Sequence, residues 1–132
     1  MKKIISLLLL VCTLAICLTS CASLKSYKKN LGKDYKTDTY DLDEIEELAE
    51  EFGIDADDYG ISAIMEAKDK DKGYYAYIIQ CKSSKKAEDL VDDLEDIVKL
   101  MDKYYSFDVD AVADGKFVLV GNKDVIDDAL NN

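Results

Sequence analysis

The segment from Ser84 to Tyr104 constrains this chain more than any other. Ala87, Leu90, Val91, Leu94, Ile97, Val98 and Met101 recur with a 3.6-residue period, and Glu88, Asp89, Asp92, Asp93, Glu95 and Asp96 fill most of the remaining positions. The chain has no proline, and no glycine falls in this stretch. The pattern predicts a helix capped by Ser83 or Ser84 and running to about Tyr104, roughly 30 Å long at 1.5 Å per residue. An apolar stripe of that length must be buried, and the partner best matched to it is one face of a β-sheet.

The flanking sequence predicts such a sheet. Asp41-Leu42-Asp43-Glu44 has the form of a capping box, and Leu42, Ile45, Leu48, Ala49 and Phe52 then share a face, predicting a helix from about 42 to 52 that stops at Gly53. Asp55, Asp57, Asp58 and Gly60 read as a turn. Ile61 to Ala67 alternates and Tyr74 to Cys81 is aromatic and β-branched, so with the polar loop 68–73 between them they form a hairpin. In the second of these strands Tyr75, Tyr77, Ile79 and Cys81 share one face and Tyr74, Ala76 and Ile78 the other. Such a strand belongs near a sheet centre, or else one face meets a partner. Phe107 to Ala113 alternates again, Asp114-Gly115 is a strong turn signal, and Lys116 to Val120 returns as a second hairpin. Gly121-Asn122 is expected to break that strand, and Asp124 to cap a short helix with Val125, Ile126, Ala129 and Leu130. The order α-ββ-α-ββ-α predicts an α+β fold. It is a two-layer sandwich in which an antiparallel sheet of about four strands packs against two amphipathic helices, ferredoxin-like in look, with the strand order left open.

At the other extreme of the chain, Lys2 and Lys3 precede Ile4 to Leu18, an almost wholly apolar run of about 15 residues, shorter than the roughly 20 a spanning helix requires. It closes on Leu18-Thr19-Ser20-Cys21. This motif resembles the lipobox of bacterial lipoproteins, in which an aliphatic residue and two small residues precede a cysteine. The resemblance covers residues 1–21 only. It implies that the thiol of Cys21 carries diacylglycerol, that a signal peptidase cuts between Ser20 and Cys21, and that the protein is anchored in the cell membrane facing the extracytoplasmic side. Cys12 and Cys17 fit less well, because Val11 and Ile16 are bulky at the cleavage position. The expected division is a signal peptide over 1–20, a lipidated cysteine and basic polar tether over 21–40, and an acidic domain over 41–132. Within the tether, the four-residue spacing of Tyr27, Leu31 and Tyr35 allows a short helix that Gly32 weakens.

Charge follows the same division. The chain carries a net −11, and removing residues 1–20 takes away two lysines and no acid, leaving −13. Lys25, Lys28, Lys29, Lys33 and Lys36 oppose only Asp34 and Asp38 in the tether, a composition suited to anionic headgroups. The acidic remainder argues against nucleic acid as a partner, since phosphate binding depends on neutralising lysine and arginine.

The chemistry-bearing residues point away from an enzyme. There is no histidine, which removes the commonest general base and metal ligand. Cys81 therefore has no imidazole to activate it, and reads as a buried structural thiol. Asp69-x-Asp71-x-Gly73 departs from calcium-loop spacing and is interleaved with Lys68, Lys70 and Lys72, so it reads as a solvated turn. No metal or cofactor is expected. Tyr74, Tyr75 and Tyr77 are the most distinctive cluster and form the candidate interaction surface, since tyrosine joins a large rigid ring to a polar tip. The sequence thus predicts a membrane-anchored, non-enzymatic interaction or accessory module with a protein or peptide partner in the envelope. The alternative is a ligand-binding or hydrolytic lipoprotein working through carboxylates.

Overall fold

Strand pairing begins with the run that is apolar on both faces. Tyr75–Gln80 (β3) lies at the centre of a five-stranded antiparallel sheet of order β1-β2-β3-β5-β4, flanked by Ala63–Asp69 (β2) and Phe117–Asn122 (β5). Tyr35–Thr39 (β1) and Val109–Asp114 (β4) are the edges. The structure, a computed structural model, describes residues 24–104 and 108–130. The signal segment with Ser20 and Cys21, and Phe107, lie outside the described residues.

Helices cover both faces of this sheet. On one face Met65, Ala67, Ala76, Ile78, Phe117 and Leu119 meet Tyr27 and Leu31 of a helix over 24–31 (α1) and Val125, Ile126 and Ala129 of Lys123–Leu130 (α5). On the other, Ile64, Ile79, Cys81, Val118 and Val120 meet Ile45 and Leu48 of Leu42–Glu51 (α2), Tyr59 of Ala56–Tyr59 (α3), and Ala87, Leu90 and Leu94 of Ser84–Tyr104 (α4). The α+β class and the antiparallel sheet match the expectation. The two-layer, four-stranded arrangement does not, because residues 24–40, expected to be a tether, supply both a fifth strand and a helix for the second face. The tether boundary at 40 is corrected accordingly. Gly32 acts as a stop rather than a weakness: its φ of +72° ends α1 and turns the chain through Gly32–Asp34 into β1. The ferredoxin-like look survives only in the split unit β3-α4-β4, with β5 between the two parallel strands; α5 packs on the face opposite α4.

Local signals are resolved in detail. Asp41 and Glu44 do form a capping box, with Asp41 Oδ1 accepting from the Glu44 amide at 2.8 Å and Glu44 Oε1 accepting from the Asp41 amide at 3.2 Å. Ser83 Oγ accepts from the Lys86 amide at the start of α4. The turn around Asp55 is tightened into the one-turn helix α3, capped by Asp55 and closed by Gly60 in the left-handed region. The β4–β5 loop is Gly115-Lys116, one residue later than expected, because Asp114 pairs directly with Phe117. Gly121 and Asn122 do not break β5 but complete it. The cap of α5 is Asn122, whose Oδ1 accepts from the Asp124 and Val125 amides at 3.0 and 3.2 Å, and not Asp124.

Candidate functional site

On the α4 side of the sheet, α4 packs over β4 and β5 and α2 reaches β2, leaving side chains of β1, β2 and β3 half-exposed. Register places them in rows. Lys36, Lys68 and Tyr75 stand side by side across the three strands, and Asp38, Glu66 and Tyr77 form the next row. Period-two alternation puts both rows on the same face. Tyr77 anchors the patch: its ring meets Tyr75, Tyr40 and Phe52 edge-on at centroid separations of 5.8, 6.1 and 6.3 Å. Tyr40 Oη donates to Glu66 Oε2 at 2.6 Å. Burial first, and then the bonds to Glu66 and Tyr77, push the Tyr40 phenol well above its ordinary range, so it remains a donor. The outcome is a shallow surface with fixed aromatic rings, a basic margin and an acidic strip, suited to contact with a peptide or protein face.

The structure brings together only two of the three tyrosines singled out in the sequence. Tyr74 packs on the opposite face, against the α1 and α5 core. It lines a cleft of about 380 Å³ with Tyr35, Asp69, Lys72, Asp124 and Asp128, and Lys72 Nζ lies 5.9 Å from its ring centroid. Tyr40 and Phe52 belong to the patch but were not candidates, because neither is on the tyrosine-rich strand; β1 pairing and the end of α2 deliver them. The backbone amides of Lys72 and Asp71 hold the Asp69 carboxyl below its usual value. Asp69 thus caps the turn between β2 and β3. Among the described residues no group of three or more His, Cys, Asp or Glu is placed to hold a metal ion.

Phenol–carboxylate bonds stitch the N-terminal third of the domain to later elements. Tyr27 Oη donates to Asp114 Oδ2 at 2.5 Å, Tyr35 donates to Asp128, and Tyr59 donates to Asp93. Burial, reinforced by Asp93, pushes the Tyr59 phenol up to about 12. Burial alone raises the Cys81 thiol from 9.0 to about 11, which leaves it protonated and unreactive at neutral pH. Both groups hold their protons more tightly folded than unfolded. Their stabilisation is complete below pH 9 and is lost as pH climbs towards 12. The urea midpoint is therefore expected to fall steadily from pH 9 to pH 11, and Cys81→Ala should flatten the first part of that fall. An unchanged midpoint across this interval would contradict it.

No known protein family, curated protein or solved structure matches the chain.

Proposed function

We propose that this chain is a lipid-anchored lipoprotein of the cell membrane, facing the extracytoplasmic side and serving as a non-enzymatic interaction or accessory module for an envelope protein or peptide. The observation that carries the anchoring is the apolar run Ile4 to Leu18 closing on Leu18-Thr19-Ser20-Cys21. Among the described residues no helix is long and apolar enough to cross a membrane. Two acyl chains on Cys21 would meet the two-signal requirement for stable anchoring. The interaction role draws support from the half-exposed Tyr75–Tyr77 patch with its Lys36–Lys68 margin.

Mass spectrometry of the membrane fraction is expected to find diacylated Cys21 as the mature N-terminus, and Cys21→Ala should block processing and release the protein from that anchor. An unmodified N-terminus elsewhere would overturn the anchoring. Crosslinking on intact cells is expected to trap a partner through this patch, and Tyr75→Ala combined with Lys68→Ala should lose it. Tyr77 is left in place there because it holds Phe52. Retention of the partner by a folded double variant would overturn the surface.

A further inference from the structure

How the domain sits on the membrane rests on the anchoring proposed at Cys21, and there the fold sets an unexpected constraint: α1 is already helical at Leu24. Only Ala22 and Ser23 separate it from Cys21, so even fully extended the connection spans about 10 Å. Residues 24–40 provide no slack, since Tyr27 and Leu31 are buried in the core and β1 is paired along its length with β2. The position of α1 on the sheet then decides which part of the domain is closest to the bilayer. Tyr27 packs edge-on against Phe117 at 5.4 Å and donates to Asp114, which places it at the β4–β5 turn end of the sheet. Four residues after the end of α1, the chain enters β1 at Tyr35, opposite Asp69 at the other end. The helix thus starts at the β4–β5 turn and leads towards the β2–β3 loop.

Charge on the α1 layer differs between its two ends: lysines stand apart from acids at the near end and are mixed with them at the far one. Lys25, Lys28 and Lys29 are exposed on α1, and Lys116 lies in the β4–β5 turn. None of the four makes an ion pair among the described residues, and Asp114, at the same turn as Lys116, accepts from Tyr27. Asp124, Asp127 and Asp128 on α5 gather instead around Tyr35 and the cleft at the far end, where Lys33, Lys70, Lys72 and Lys123 are interspersed with acids. Other acids of the near end, at the starts of α2 and α3 (Asp41, Asp43, Glu44, Asp55, Asp57 and Asp58), belong to the helices of the opposite sheet face.

We propose that the domain sits directly on an anionic lipid surface, on the end where α1 begins, with Lys25, Lys28, Lys29 and Lys116 among the headgroups and the β2–β3 loop pointing away. The contact is electrostatic and short-ranged, and each lysine adds several-fold to the preference for anionic lipid. Any partner of the domain is then approached from the far end or the sides, where the Tyr75–Tyr77 patch and the acidic cleft lie.

The experiment uses the full chain, processed in cells, purified with its acyl chains and reconstituted in vesicles of equal parts phosphatidylcholine and phosphatidylglycerol. Cys81 is buried, so single surface cysteines can be labelled selectively with a donor dye. Ala113→Cys marks the near end and Lys70→Cys the far end, separated by about 20 Å along the strands. Energy transfer to an acceptor on lipid headgroups should be several-fold stronger from position 113 than from position 70. Added salt, vesicles of phosphatidylcholine alone, or the combined Lys25→Glu, Lys28→Glu and Lys29→Glu changes should each reduce that difference. Equal transfer from the two positions with Cys21 acylated would overturn the seating alone, and so would a difference insensitive to lipid charge. Absence of the acyl group by mass spectrometry would overturn the anchoring reading and the seating with it.

Discussion

Leu90→Ala is expected to cost about 2–5 kcal/mol, a large share of the roughly 5–15 kcal/mol that holds a domain of this size together. Leu90 has 0% of its surface exposed and lies in the cluster that joins α4 to Ile79, Val118 and Val120. Truncation removes buried methyl groups and leaves a cavity that a helix laid along a sheet cannot close by shifting one residue. One turn before the helix ends, Leu100 is 56% exposed, and Leu100→Ala should change stability by no more than about 0.5 kcal/mol. Urea denaturation of the two variants checks the contrast. The midpoint should drop sharply for the first and stay in place for the second, with an unchanged slope in both. Similar losses for the two would mean that α4 does not bury the stripe assigned to it.

Gly121→Ala is expected to be at least as damaging, although it adds a single methyl group. Gly121 pairs with Ala76 inside the sheet and has φ +141°, a conformation that other residues avoid. A Cβ built there falls 2.5 Å from the carbonyl oxygen of Tyr75 and 2.6 Å from the Cα of Ala76. Both atoms belong to the backbone of β3, the central strand, so neither can swing aside. Backbone strain of about 1–3 kcal/mol and overpacking of about 1–3 kcal/mol add at this position, giving a loss of order 4 kcal/mol. Thermal unfolding should show a much lower midpoint for Gly121→Ala than for Gly115→Ala. Gly115 is also in the left-handed region, but its added Cβ meets nothing within 4 Å. Equal midpoints would show that strain alone, rather than the close approach to β3, makes Gly121 necessary.

Leu90 and Gly121 differ in how far each is legible from its neighbours in the chain. The stripe around Leu90 is a local periodicity, visible in any window of a dozen residues. The requirement for glycine at 121 is non-local, since it arises only because β5 lies against β3, and in the sequence Gly121 reads as a strand breaker. The edge strand β1 is hidden for a related reason. Tyr35-Lys36-Thr37-Asp38-Thr39 alternates with exposed lysine and aspartate, as suits an edge that must resist pairing with another chain, and its strand character comes from β2 rather than from its own composition. The second helical layer is signalled in the sequence, because Ala76 and Ile78 oppose Tyr77 and Ile79 on a strand apolar on both sides. Without β1 and α1 in place there is nothing to say which elements cover the additional face.

The candidate patch divides in the same way. Alternation separates Tyr74 from Tyr75 and Tyr77 by arithmetic alone. Phe52, Tyr40 and the Lys36–Lys68 pair come from three different segments, brought together by the register of β1 on β2 and by the path of α2. By itself the sequence determined whatever depends on neighbours within a few residues: the helices α2 and α4 with the capping box of the former, the two hairpins, and the lipobox-like motif ending at Cys21. Only the tertiary structure decided that the lysine-rich stretch after Cys21 is part of the domain. Buried contacts of Tyr27 and Leu31 and the pairing of β1 outweigh a composition that, taken locally, favours solvent.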